Sequence, residues 1–193
     1  MAASHIRDNL FQDNTVTEWG GGIFHDWGNA TIEGNVLKGN SAWSGGGLYG
    51  GGSLLVRGNS FEENSATDRG GGLCDSSDGS EGPTSIEGNR FLGNSMENNQ
   101  FAIDLGTDLH TNNDTGDGDL GPNGLQNYPV LQSAGATADT LSVGVQFNSK
   151  AGRNYYLDFY WTPACHADSP ASIIGTLRPA PSMRAAAPWN VRS

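Results

Sequence analysis

The densest set of side chains that could bind a metal ion lies in one glycine-rich loop. Asn113, Asp114, Asp117 and Asp119 bring amide and carboxylate oxygens close together along the chain. Oxygen ligands of this kind on an adaptable backbone are what Ca²⁺ prefers. The spacing departs from an EF-hand, because Gly124 stands where a count from Asn113 requires the closing glutamate. The loop is therefore either a calcium site or a solvated acidic turn, which Asn and Gly favour without any metal.

Four aromatic residues form a second candidate site, one for binding without catalysis. Phe24 and Tyr49 each follow a Gly-Gly-Gly-aliphatic sequence, and Trp19 and Trp43 lie shortly before the same glycines. Since Phe24 and Tyr49 alternate with an aliphatic residue, we expect them to point outward. Stacked, half-exposed aromatic rings can dock a sugar ring or a protein partner. The alternative is that the rings only cover a sheet face.

Residues that could perform acid–base or nucleophilic catalysis are scattered along the chain. Cys74 and Cys165 have no base partner that the sequence reveals, and a disulfide between them stays open. Asp104 and Asp108 are close in sequence, but nothing pairs them with a third group. The isolated histidines are His5, His25, His110 and His166. The sequence therefore predicts no catalytic residues.

The elements that must position these residues are repeats. The phrase aliphatic-x-x-Asn-x-apolar-x-x-Asn occurs four times, and its copies begin at Ile6, Ile32, Val56 and Ile86. The first three copies are each followed by three glycines and an aliphatic residue, at 20–23, 45–48 and 70–73. The third period is longer because it contains a polar insertion at 75–84. A recurring period of this size indicates a solenoid.

The repeats predict short strands that stack coil upon coil. Apolar positions alternate locally with polar ones, and 29 glycines among 193 residues disfavour helix. We expect three apolar ladders, two asparagine columns at corners, and a glycine corner where a Cβ would clash. Asn tolerates a left-handed corner backbone, and its amide can bond to the amide of the next coil. The predicted apolar ladders are 6/32/56/86, 11/37/61/91 and 23/48/73, and the predicted asparagine columns are 9/35/59/89 and 14/40/64/94.

A charged column runs beside the first asparagine column. Arg7, Glu33, Arg57 and Glu87 alternate in sign from coil to coil, so stacked neighbours attract. We interpret this column as a solvated face that helps to fix the register of the coils, rather than as a catalytic pair.

The pattern resembles right-handed parallel β-helix repeat proteins, including the polymorphic-outer-membrane-protein-like group of bacterial surface proteins, over residues 4–108. The segment 112–131 (NNDTGDGDLGPNGLQNYPVL) is similar to one that follows the last coil in many bacterial secreted β-helix proteins, and 155–165 (YYLDFYWTPAC) resembles a strand of the β-sandwich-like module behind it. The resemblance implies an all-β fold: a right-handed parallel β-helix of about four coils, followed by a partial β-sandwich.

The expected organisation has four parts. Residues 1–108 form the β-helix, 109–131 an acidic loop and linker, 132–165 partial sandwich strands, and 166–193 a poorly ordered tail. Alternation at 140–147 and 155–161 predicts two strands, joined by a turn at 148–154. Since a repeat begins almost at once and a solenoid needs a cap, we expect this chain to be part of a longer polypeptide.

Charge and hydropathy limit the partners. The net charge is -11 and no cluster of Lys and Arg occurs, so nucleic acid and a bare anionic membrane are not expected partners. Membrane insertion is not expected either, since no stretch approaches the ~20 apolar residues that a spanning helix needs.

The resemblance implies a secreted or cell-surface bacterial protein. A non-catalytic role is favoured because the sequence shows no cluster of titratable groups on one coil face. We expect an adhesin-like or structural stalk that binds a glycan or a host or cell-surface protein, with calcium the only candidate cofactor. The alternative is a polysaccharide lyase or glycoside hydrolase of the β-helix (pectin lyase-like) type, or a remnant of one, because such enzymes share this fold. The alternative rests on fold analogy alone.

Overall fold

The computed structural model describes residues 3–77, 84–96, 102–106, 111–118, 120, 122–137 and 140–152. Nearly all of the regular structure within these ranges is β-strand. The strands are β1 (Ser4–Arg7), β2 (Leu10–Gln12), β3 (Ile23–His25), β4 (Asn29–Glu33), β5 (Val36–Lys38), β6 (Ser41–Ser44), β7 (Leu48–Gly50), β8 (Ser53–Arg57), β9 (Ser60–Glu62), β10 (Ser65–Arg69), β11 (Leu73–Asp75), β12 (Ser85–Glu87), β13 (Arg90–Leu92), β14 (Ser95–Met96), β15 (Ile103–Leu105), β16 (Val130–Ala136) and β17 (Leu141–Gln146). A short 3-10 helix, η1, spans Pro122–Leu125.

Each turn of the chain adds one strand to each of up to four parallel sheets. The orders are β1-β4-β8-β12, β13-β9-β5-β2, β14-β10-β6 and β15-β11-β7-β3. We call residues 4–25 coil 1, 29–50 coil 2, 53–75 coil 3 and 85–105 coil 4. This confirms the predicted parallel β-helix of about four coils.

The three predicted apolar ladders supply most of the core, and Ala30, Leu54 and Ala102 pack with them. Equivalent residues of successive coils are paired in register on the sheets, and Ile103 extends the third ladder into coil 4. Ile32, Leu37 and Phe61 are completely buried. The rings of Phe61 and Phe91 stack with centroids 4.6 Å apart. Burial of each such side chain contributes about 1.5–3 kcal/mol, so stacking makes a core that one repeat alone could not.

The asparagine columns lie at two corners, as predicted, but their backbone differs from the expectation. The left-handed residue is the one before each asparagine, as at Asp8, Gly34 and Gly58, with φ of 57°, 65° and 62°. The prediction that Asn supplies this conformation was therefore wrong. The asparagine is instead held by its side chain, which is buried and hydrogen-bonded between coils, and the preceding residue makes the turn.

The glycine triplets form a further corner for the steric reason predicted. The first glycine of each triplet is left-handed, as at Gly45, where φ is 65°. A Cβ on the second glycine would collide with the next coil, since at Gly71 it would meet the backbone oxygen of Ser95. Neighbouring coils therefore approach more closely here than any other residue would permit.

The alternating charged column also forms. The Arg7 and Arg57 guanidinium groups lie 3.5 and 3.1 Å from the same Glu33 carboxylate oxygen. The hydrogen bond from Arg57 is the main reason that the pKa of Glu33 is lowered. Glu87 is aligned with Arg57 in the next coil. These exposed pairs fix register more than they add stability.

The carboxyl end of the solenoid leads into a β-hairpin. Helix η1 contacts β12 and β15, so it lies against coil 4. β17 confirms the strand predicted at 140–147, and its described partner is β16, which is antiparallel and earlier in the chain. The sequence had placed residues 130–131 in the linker and 132–136 in the partial sandwich, without assigning a strand to them. The predicted strand at 155–161, Cys165 and the tail 166–193 lie outside the described residues. No helix in the described part of the chain is long and apolar enough to cross a membrane.

Candidate functional site

Three of the four predicted aromatic residues meet on the outside of the solenoid. The ring centroids of Trp19, Phe24 and Tyr49 are 5.7–6.1 Å apart in every pair, and the ring planes differ by 18–28°. Trp19 is 41% exposed and Phe24 is 49% exposed, while Tyr49 is half-buried. We call these three residues the aromatic patch. Its rings present apolar surface to solvent without belonging to the core.

The repeat places the patch by simple register. Phe24 and Tyr49 are paired on adjacent strands β3 and β7, pointing away from the Ile23 and Leu48 core ladder. Trp19 comes from the segment before the first glycine triplet and forms an isolated bridge to Ser44. Two coils and one connecting segment therefore build the patch together, and none could build it alone.

Trp43 does not join this stack. It lies on β6 and is 46% exposed, and no ring of the described residues stacks on it. Its backbone N–H donates to the carbonyl of Glu18, which ties the Trp19 segment to coil 2. Trp43 therefore helps to position the patch through its backbone rather than through its ring.

The outward column changes character beyond the patch. Cys74 and Asp104 follow Phe24 and Tyr49 in register, yet both are almost fully buried. Burial, followed by the nearby Asp104 carboxylate, raises the pKa of the Cys74 thiol. The thiol therefore stays protonated at neutral pH, and a protonated thiol is a poor nucleophile. Cys165 lies outside the described residues, so the disulfide remains untested.

The acidic loop is tied to the hairpin by its own side chains. The Asp117 carboxylate accepts hydrogen bonds from the Asn127 backbone N–H at 2.7 Å and from the Ser149 hydroxyl at 2.6 Å. The Asn113 carboxamide exchanges two hydrogen bonds with the backbone of Tyr128. These side-chain oxygens therefore stabilise the turn by hydrogen bonds, as the alternative of an acidic turn without metal requires.

One structural feature is compatible with the calcium hypothesis. Asp114 Oδ1 is buried and accepts no hydrogen bond within the described ranges, while Asp114 Oδ2 accepts the Gly118 N–H at 3.1 Å. Asp119 lies outside the described residues. Where the structure describes the chain, no three His, Cys, Asp or Glu side chains form a group that could hold a metal ion. Calcium at Asn113, Asp114, Asp117 and Asp119 stays a prediction.

Two features of this surface were missed from the sequence. Trp27, 71% exposed, follows β3 where coil 2 has glycines, and Leu10, 62% exposed, lies outward on β2. Trp27 replaces small residues of the next coil, and that replacement was the available signal; Leu10 is paired with Val36 and gave no such signal. Of the other titratable candidates, Asp108, His110 and His166 lie outside the described residues.

Comparisons with known proteins do not extend this description. A scan against protein-family models, a search of curated proteins and a search of solved structures each returned no match. The fold therefore stands on the strand register and the ladders of this chain, and the site stands on the stacked rings of Trp19, Phe24 and Tyr49.

Proposed function

We propose that this chain is the β-helix part of a secreted or cell-surface bacterial protein of the polymorphic-outer-membrane-protein-like kind. It acts as an adhesin-like stalk, and the aromatic patch docks a glycan or a surface protein of another cell. The single observation that carries the proposal is the group of three mutually stacked, half-exposed rings. A solenoid has no need of them for its core, since the apolar ladders fill the interior.

The chemistry of the patch fits a sugar ring well. Aromatic rings offer a flat apolar face, and aromatic contacts are worth about 0.5–1.5 kcal/mol beyond the area that they bury. Because the net charge is -11, a neutral glycan is favoured over a strongly acidic one. The rigid β-strands beneath Phe24 and Tyr49 hold the rings in place, so little ordering is needed when a ligand binds.

The test compares variants on an array of neutral and acidic glycans. Phe24→Ala and Trp19→Ala should lower retention on the responsive glycans about tenfold, as expected for loss of a stacking contact of that size. Trp43→Ala is the matched control, since it removes an exposed ring outside the stack, and it should retain the ligand. Melting temperatures must agree between Phe24→Ala and the unsubstituted chain.

The same samples test the enzymatic alternative. Each glycan is incubated with the chain, with and without calcium, and reducing ends and unsaturated products are followed. Cleavage would contradict the non-catalytic proposal and favour a polysaccharide lyase or hydrolase. Retention that survives Phe24→Ala and Trp19→Ala would show that the aromatic patch is not the binding site.

A further inference from the structure

The large exposed apolar side chains of the solenoid are concentrated at one end. Five of them lie in coil 1 or directly after it, and among the described residues of coils 2–4 only Trp43 is comparable. The five are Leu10, Val16, Trp19, Phe24 and Trp27. An apolar concentration of this kind marks an interaction surface.

Coil 1 also carries the open edge of the sheets. β1, β2 and β3 are each the last strand of their sheet and have a neighbour on one side only. At the opposite end of the solenoid, η1 contacts β12 and β15. An unprotected strand edge is a template for a further strand, so the two ends of this solenoid are not equivalent.

The asparagine columns end at coil 1 with unused acceptors. The Asn35 Oδ1 accepts the backbone and side-chain N–H groups of Asn9, and the Asn40 Oδ1 accepts the same pair from Asn14. Asn9 and Asn14 are exposed, and their own Oδ1 atoms accept no hydrogen bond within the described part of the chain. If a further coil placed an asparagine next to Asn9 and another next to Asn14, their N–H groups could donate to these Oδ1 atoms. The asparagines of coil 2 donate to those of coil 3 in this way.

Charge indicates which kind of strand fits this edge. Coil 1 carries Arg7, coil 2 carries Glu33 and coil 3 carries Arg57, with ion pairs at both junctions. Continuing the alternation requires an acid opposite Arg7. A second copy docked by its own coil 1 would bring two Arg7 side chains together, which the charge does not favour. A second copy docked by its coil 4 would offer Glu87, but η1 lies against β12, the strand that carries Glu87.

We propose that the open face of coil 1 is a docking surface for a further β-coil. The occupant is a polypeptide segment that adds in parallel and in register to β1 and β2. It carries an acid opposite Arg7 and asparagines opposite Asn9 and Asn14, as a coil with the sequence pattern of coil 2 does. The same stacking contacts that join coils 1 and 2 would join the occupant to coil 1.

The test extends the full chain rather than truncating it. A duplicate of residues 29–52 is fused before Met1, and amide hydrogen exchange is measured in β1 and β2. The extension should slow exchange there about tenfold or more relative to the unextended chain, because the edge amides become hydrogen-bonded. The matched control has the duplicated Asn35 and Asn40 replaced by Ala, and it should lose this protection.

A charge swap tests the register of docking. Replacing the duplicated Glu33 by Arg should reduce the protection, and replacing it by Gln should reduce the protection less, because a neutral side chain does not repel Arg7. Equal exchange in the extended, control and unextended chains would overturn the proposal. So would a dimeric unextended chain, measured by light scattering, whose β1 and β2 amides are already protected, since the occupant would then be a second copy.

Discussion

Single asparagine side chains hold the coils together at two corners. Each column asparagine of coils 2 and 3 donates to the coil before it and to the coil after it, as Asn59 does to the carbonyl of Ile32 at 2.8 Å and to Asn89 Oδ1 at 2.9 Å. The sequence predicted the amide-to-amide contact but placed the left-handed backbone on the wrong residue. The statistical preference of Asn for that conformation is real, but here the buried carboxamide decides its position.

Replacement of a central asparagine should therefore cost far more than replacement of a terminal one. Asn59→Ala leaves several buried groups without partners, among them the carbonyl of Ile32, and should lower the free energy of unfolding by about 3 kcal/mol. Asn9→Ala changes an exposed residue and should cost less than about 1 kcal/mol. Urea denaturation measures both. Equal losses would contradict the ladder as the source of stability.

Asp75 should make stability depend on pH in the direction of a buried acid. Burial raises its pKa, and the hydrogen bond from the Ser77 backbone N–H opposes this only in part. The folded chain thus holds the proton more tightly than the unfolded chain, whose Asp pKa is about 3.9. The contribution of Asp75 to the free energy of unfolding is fully present below the unfolded pKa. It is lost as pH rises through the higher pKa of the folded chain.

Asp75→Asn tests this directly. The variant should gain stability relative to the unsubstituted chain as pH rises from about 4.5 to about 8, because it has no proton to lose. Urea denaturation across the range gives the difference, and Asp26→Asn, which removes an exposed carboxyl, controls for net charge. A difference that does not change with pH would refute the prediction.

At the scale of elements, the period alone predicted most of the fold. Alternation assigned the inward ladders and the outward Phe24 and Tyr49 correctly. It does not predict that Cys74 and Asp104 in the same column are buried, since alternation tells which way a side chain points and not whether another segment covers it. β16 was missed because VLQSAGA contains small residues that neither alternate nor mark a strand.

The glycine corner is the most sensitive element to substitution. Gly71→Ala drives a Cβ into the backbone oxygen of Ser95, so coils 3 and 4 must separate, and the loss should exceed about 3 kcal/mol. Gly58→Ala is the matched control: its φ is 62° but the space around it is open, so only backbone strain of about 1 kcal/mol is expected. Thermal melts rank the two. A smaller loss for Gly71→Ala would contradict the close-approach explanation.

The solenoid is nearly one-dimensional, because its coils stack along one axis and each contacts the coils next to it. Its stability is then a sum of coil and junction contributions. The aromatic patch spans coils 1 and 2, so binding there depends on one junction. The sequence could predict the four candidate rings but not the exclusion of Trp43, which lies on β6 and not beside the stacked rings.

Opening should therefore proceed from coil 1, which has one junction, whereas coil 4 has one junction and also contacts η1. In native-state hydrogen exchange, amides of β1 and β2 should exchange faster than those of β5 and β9, whose strands have neighbours on both sides. Opening free energies that are equal in all coils would indicate a single cooperative unit instead.

The same stacking has a mechanical consequence. Hydrogen bonds between coils join each turn to the next along the axis, so a force that pulls the amino-terminal end away loads one junction at a time. Each coil that detaches then adds its own length to the extended chain: the 24 residues from Asn35 to Asn59 would extend to roughly 80 Å. Under tension such a chain lengthens in discrete steps and dissipates work at each one, while the coils not yet reached keep their structure.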